Sequence, residues 1–305
     1  MKGNMVQYAV LPNCTNNCKF CLCRDKRILT TDQIVKRLND IDENITYIDW
    51  KHKFYKGISL LGGEVYGYSD ERYQQRFLIL LKNICDKILN VVGKGSKYST
   101  VTNGIYDPTF LFNCVDLIVE KCGIEYLDVN FSYDIKYRYS TEKSRLLALK
   151  NINEFSKKYN YTVGVQMILT QYVIESVFNN SWNIESFIKN EIPGNQLVFL
   201  YPHPIRSNDL NLPDFFFKRD SFLKFLLFLE KKYPDIHLNT ILSTKNSGTF
   251  KYTGLFYPEK DNKQPPILAD GKEILQEKCG HSVLYNCYSD SDKCMLCDIE
   301  KIWRI

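Results

Sequence analysis

Val6-Gln7-Tyr8-Ala9-Val10-Leu11-Pro12-Asn13-Cys14-Thr15-Asn16-Asn17-Cys18-Lys19-Phe20-Cys21 joins an apolar, strand-like run to three cysteines spaced C-x3-C-x2-C. Three thiolates on one tight loop hold three irons of a cubane and leave the fourth iron without a protein ligand, whereas iron–sulfur clusters are normally held by four thiolates. The spacing therefore implies a second molecule at the open iron. A zinc loop completed by Cys23 is the competing reading, since zinc favours closed tetrahedral thiolate sites. It would crowd four ligands into the ten residues from Cys14 to Cys23.

Working outward, further apolar, β-branched or aromatic runs fall at Gly57–Leu61, Tyr98–Thr102, Tyr126–Phe131, Thr162–Leu169 and Gln196–Tyr201, after a first one at Met5–Leu11. Between them, helical spacing is visible over Thr31–Asn44 behind a threonine cap, over Asp70–Leu89 and over Thr141–Tyr159. In the last of these, Leu146, Leu147, Leu149, Ile152 and Phe155 form an apolar stripe. Strands alternating with helices predict an α/β fold with a parallel sheet built from βα units. Six units suggest a partial (β/α)6 TIM-like barrel. In such barrels the working residues collect on the loops at the C-terminal ends of the strands, and the polar signals of this chain fall there. The cysteines follow the first run, Gly62-Gly63-Glu64 the second, Asn103-Gly104 the third, and Ser132 and Asp134 end the fourth.

The cysteine spacing, with Phe20 just before the last cysteine, resembles the signature of the radical SAM superfamily. Gly62-Gly63-Glu64 resembles that family's GGE motif, Thr102-Asn103-Gly104 its third-strand ending, and Leu127 to Asp134 its fourth strand. The resemblance implies that Cys14, Cys18 and Cys21 ligate a 4Fe-4S cluster whose open iron takes S-adenosylmethionine (SAM). It also implies that Phe20 lies against the adenine, and that Gly62, Gly63, Glu64, Asn103, Ser132 and Asp134 orient SAM. Lys136, Arg138 and Arg145 are candidates to pair with the SAM carboxylate, Arg138 first, because its planar fork grips a carboxylate through two bonds. The implied activity is reductive cleavage of SAM to a 5′-deoxyadenosyl radical that abstracts hydrogen from substrate, an enzyme of oxidoreductase or transferase type served by a reductant such as flavodoxin or ferredoxin. After the sixth run, His203 and Arg206 are candidates to handle a proton and an anionic substrate at the barrel mouth.

The C-terminal third departs from the repeat. Leu212-Pro213 opens a segment expected to be helical to about Lys232, and 243–271 is rich in Gly, Pro, Lys and Asn. Cys279, Cys287, Cys294 and Cys297 then follow with C-x7-C-x6-C-x2-C spacing. Four thiolates saturate either a structural zinc or an auxiliary 4Fe-4S cluster, and His281 is an alternative zinc donor. The arrangement resembles the cysteine-rich extensions, called SPASM or twitch domains, of some radical SAM enzymes. The expected organisation is a barrel over 1–210 followed by an extension over 211–305 holding the second metal group.

Composition narrows the field less. At 305 residues, with 44% hydrophobic and 14% aromatic content, the chain can bury a large core. It has no 18-residue apolar run, and Met1 to Met5 enter the first strand without the apolar region of a signal peptide. No membrane partner and a cytoplasmic location are expected. Eleven cysteines in that setting argue for metal or catalysis rather than a disulfide framework, with Cys85, Cys114 and Cys122 read as small buried hydrophobes. A net charge of +5, from 40 basic and 35 acidic residues, does not by itself make a nucleic-acid footprint. The substrate therefore stays open between a peptide or protein side chain and, as the alternative, a nucleotide, nucleic acid or small metabolite. A non-catalytic zinc or iron–sulfur protein is the third alternative.

Overall fold

A computed structural model of the chain describes residues 4–11, 14, 16, 18, 29–48, 50, 55–200, 218–233 and 237–238. Seven strands lie side by side in chain order: β1 Asn4–Leu11, β2 Tyr55–Gly62, β3 Lys97–Thr102, β4 Leu127–Tyr133, β5 Gly164–Ile168, β6 Gln196–Leu200 and β7 His237–Leu238. Every neighbouring pair is parallel. Among the described residues β1 and β7 do not pair, so the described strands form an open sheet. The two-residue β7, which aligns His237 with Val198 and Leu238 with Phe199, extends the six strands read from the sequence.

Parallel strands need crossover segments, and the helices between them supply these. α1 (Thr31–Tyr47) starts at a reciprocal capping box: the Thr30 hydroxyl accepts the Gln33 amide N–H, and the Gln33 side chain accepts from Thr30 N. α2 (Glu71–Ile84) is capped by Asp70 and runs on through a π turn, Cys85–Leu89, into the single turn α3 (Asn90–Val92). α4 (Thr109–Lys121), α5 (Glu142–Tyr159), α6 (Gln171–Phe178), the single turn α7 (Ile184–Ser186) and α8 (Arg219–Lys232) follow. α5 is capped by Thr141, whose hydroxyl accepts the Ser144 N–H, and stops where Asn160 takes the left-handed conformation, φ 46°. The helix expected from Leu212 onward is described only from Arg219.

The alternation along β4 shows which face of the sheet the helices cover. Leu127, Val129, Phe131 and Tyr133 are buried, while Asp128, Asn130 and Ser132 between them are half-buried. Phe131 meets Phe155 of α5 edge-on at 5.7 Å, and Phe199 of β6 meets Phe225 of α8 at 5.6 Å. The half-buried positions face the other way, into the open side of the sheet. There the Ser99 hydroxyl donates to Asp128 (2.9 Å), as does the Asn130 amide (3.0 Å). Cys85 and Cys114 are fully buried, as expected of small hydrophobes, and Cys122 is half-buried.

Candidate cofactor site at the strand ends

Gly62 closes the gap between β2 and the start of the cysteine loop. A Cβ there would stand 2.3 Å from the Leu11 carbonyl oxygen, and the next amide, Gly63 N–H, donates to that same oxygen at 2.7 Å. Only glycine allows this approach. The register shift between Ala9 and Leu11 sits at the same point, so β1 irregularly pairs with β2 just before the cysteines leave the sheet.

Beyond Leu11, the sulfurs of Cys14 and Cys18 are bridged by Asn16. Its backbone N–H points to Cys14 Sγ at 3.4 Å and its side-chain amide to Cys18 Sγ at 3.2 Å. Two distant residues complete the surroundings. Asn103 Nδ2, at the end of β3, lies 3.6 Å from Cys14 Sγ, and Arg138 Nη1, in the loop after β4, lies 3.8 Å from Cys18 Sγ. Amide and guanidinium donors around sulfur favour the thiolate, which is the form that binds metal. Soft thiolate donors with hydrogen-bond donors trained on them suit an iron–sulfur cluster, whose properties depend on such bonds. The residues present thus fit the group that the cysteine spacing implies.

The carboxylates of the site point into the protein. Glu64 is 3% exposed. Its Oε2 accepts the Asn103 N–H at 2.7 Å, and its Oε1 accepts the Thr102 hydroxyl at 2.8 Å and the Tyr66 N–H at 3.2 Å. Burial pushes its carboxyl up to about 7 against the opposing pull of these bonds and of Arg138. Asp134 is equally enclosed: its Oδ1 accepts the backbone N–H groups of Lys136 (2.7 Å), Tyr137 and Arg138 (3.3 Å). Burial raises its carboxyl above the ordinary value, with those donors and Arg138 opposing. The side chain of Asp134 therefore shapes the loop that presents Arg138. Ser132 is half-buried on the open face, and its carbonyl accepts the Tyr139 hydroxyl at 3.5 Å.

Of the three cations considered for SAM, Arg138 reaches the described part of the cysteine loop. Lys136 Nζ lies 3.9 Å above the Tyr172 ring and 5.1 Å from that of Tyr137. Arg145 bonds Glu142 (2.6 Å), Glu191 (2.8 Å) and the Tyr133 hydroxyl (2.7 Å). Asn16, Tyr106, Tyr137 and Tyr172 also belong to this end of the sheet and are not among the site residues read from the sequence. Asn16 alone carried a local signal, being the side chain between Cys14 and Cys18. Phe20, Cys21, Cys23, His203, Arg206, Cys279, His281, Cys287, Cys294 and Cys297 lie outside the described residues. Among the described residues no helix is long and apolar enough to cross a membrane.

No family model and no curated protein matches the sequence. Solved structures do match. SuiB of Streptococcus suis bound to S-adenosylmethionine aligns with a TM-score of 0.54 at 14% identity, over 97% of this chain and 72% of that one. The fold is shared. SuiB bound to its precursor peptide SuiA aligns with a TM-score of 0.50 at 13% identity, over 76% of this chain and 47% of the other. A further SuiB structure gives 0.48 at 13% identity over 83% of this chain. The chain spans only 47% and 54%, respectively, of the length of these last two. At such identities the likeness is one of architecture: an α/β sheet of consecutive parallel strands, as the alternating runs predicted.

Proposed function

We propose that this chain is a radical SAM enzyme whose substrate is a peptide or protein side chain. One observation carries the reading. The cysteine loop leaves β1 at the C-terminal edge of a parallel sheet, and there Asn103 from β3 and Arg138 from β4 converge on the sulfurs of Cys14 and Cys18. This is where an open α/β sheet binds ligands. A chance metal loop has no reason to meet donors from two other strand ends.

In this reading Cys14, Cys18 and Cys21 hold a 4Fe-4S cluster. When bound, the cluster supplies the electron that breaks the C5′–S bond of SAM. The protein's part is to bind and orient. The Gly62-Gly63-Glu64 turn offers backbone to the methionine end of SAM, since the Glu64 carboxylate is taken up inside. Ser132, on the open face, and the Asp134-shaped loop lie on the ribose side, Phe20 flanks the adenine, and Arg138 is the cation for the carboxylate. His203 and Arg206 remain the candidates to meet substrate after β6. Cys279, Cys287, Cys294 and Cys297 share one closed centre, an auxiliary cluster or a zinc. A flavodoxin- or ferredoxin-type protein delivers the electron.

A peptide substrate is supported by the SuiA-bound SuiB of the same fold and by the cysteine-rich C-terminus. Anaerobic reconstitution with counting of iron, sulfide and zinc, and electron paramagnetic resonance of the reduced protein, test the cofactor. A cluster signal that changes on adding SAM, and that is lost when Cys14, Cys18 and Cys21 are all alanine, is expected. A colourless, zinc-loaded and SAM-indifferent protein would refute it. Peptides encoded beside the gene should raise SAM turnover where nucleotides do not.

A further inference from the structure

Glu64 lies in a motif expected to face SAM, yet its carboxylate turns away into the protein. The donors it collects come mainly from the end of β3: the Asn103 N–H at 2.7 Å and the Thr102 hydroxyl at 2.8 Å, with the Tyr66 N–H at 3.2 Å. Thr102 Oγ1 in turn sits 2.5 Å from the Tyr106 hydroxyl and accepts the Gly104 N–H at 3.3 Å. With its hydrogen given to Glu64, Thr102 accepts from both. Asn103 is fixed a second time by its own Oδ1, which accepts the Ile105 N–H at 2.8 Å. That leaves its Nδ2 on Cys14 Sγ at 3.6 Å. The chain of contacts therefore runs from the end of β2, through the end of β3, to the first cysteine after β1.

The geometry points to Glu64 as a positioning residue: through Asn103, it sets the hydrogen bond received by the Cys14 sulfur, and so the electronic state of the metal centre that Cys14 ligates. A buried carboxylate holding two backbone N–H groups fixes a turn far more tightly than a solvated side chain does, because losing one partner leaves a buried donor unmet. N–H donors on cluster sulfurs stabilise the reduced, more negative form and raise the reduction potential. The inference rests on the functional reading above for its redox consequence. Its mechanical consequence stands without any metal.

Two arms test it, using Glu64→Gln, Asn103→Ala and the double variant in the full chain. In metal-free protein, amide hydrogen exchange in Glu64→Gln should quicken at 100–106 and across the cysteine loop, while β5 and β6 exchange at the wild-type rate. In the reconstituted protein, Glu64→Gln and Asn103→Ala should each shift the cluster's midpoint potential to more negative values with iron per chain unchanged, and the double variant should go no further than Asn103→Ala. Exchange that rises uniformly over the whole sheet, or additive shifts in potential, would overturn the inference. If the wild type takes up no iron, the functional reading falls, and the exchange arm alone decides whether Glu64 positions the loop.

Discussion

Arg138 Nη1 stands 3.8 Å from Cys18 Sγ although 120 positions separate the two residues in the chain. The contact exists because Asp134 gathers the N–H groups of Lys136, Tyr137 and Arg138 around one carboxylate oxygen and so turns the loop after β4 back over the sheet's edge. Under the proposed function, in which Cys18 would hold a cluster with an open iron, this guanidinium is also placed to take an anionic group at that iron.

Replacing Arg138 by glutamine should weaken SAM binding about tenfold, equivalent to about 1.4 kcal/mol, with iron per chain unchanged. Arg138→Lys should recover part of the loss, since it restores the charge but not the fork. Anaerobic equilibrium dialysis with labelled SAM measures both. Loss of iron with unaltered SAM affinity would make Arg138 a partner of the thiolate alone.

Arg145 should behave differently. It joins Glu142 at the start of α5, Glu191 and the Tyr133 hydroxyl, and a partly exposed network of this kind contributes about 1 kcal/mol. Arg145→Gln should lower stability by about that amount in urea unfolding and leave SAM affinity at the wild-type value. A variant of full stability that binds SAM poorly would contradict this assignment.

Glu64 gives the metal-free protein a dependence on pH. Its carboxyl titrates near 7 when folded, against 4.5 as the ordinary value. Between those pH values the folded protein holds a proton that the unfolded chain has released, so this group's contribution to stability is present below pH 4.5 and is lost as pH rises through 7. Across that window the loss is roughly 3 kcal/mol. Urea titrations from pH 5 to pH 8 should show stability falling more steeply in the wild type than in Glu64→Gln. Parallel curves would show that Glu64 does not titrate differently on folding.

Much of this site was legible beforehand because strand ends carry local marks. Apolar β-branched runs broken by Gly62-Gly63, Asn103-Gly104 and Ser132-Tyr133-Asp134 located the mouth of the barrel, and the structure sets Cys14, Glu64, Asn103 and Arg138 around it. The direction of the Glu64 and Asp134 side chains was not legible, since their donors are backbone groups whose approach only the folded turns create. α4 escaped notice because Thr109-Phe110-Leu111-Phe112-Asn113-Cys114-Val115 reads as a β-rich run; tertiary burial of Phe110, Leu111, Cys114, Val115 and Ile118 fixes it as a helix. β7 is only two residues long and takes its identity from pairing with β6. The Lys136–Tyr172 contact joins the loop after β4 to the first turn of α6 and leaves no trace in local spacing.

In the proposed function, Cys14, Cys18 and Cys21 form a centre at which SAM is cleaved. The most direct measurement is 5′-deoxyadenosine produced from SAM by the anaerobically reconstituted chain under dithionite, compared with a variant in which these three cysteines are alanine. Steady production by the wild type, none by the triple variant, and production largely intact when Cys23 alone is changed are expected. Equal 5′-deoxyadenosine from the wild type and the triple variant, or none from an iron-loaded wild type, would contradict it.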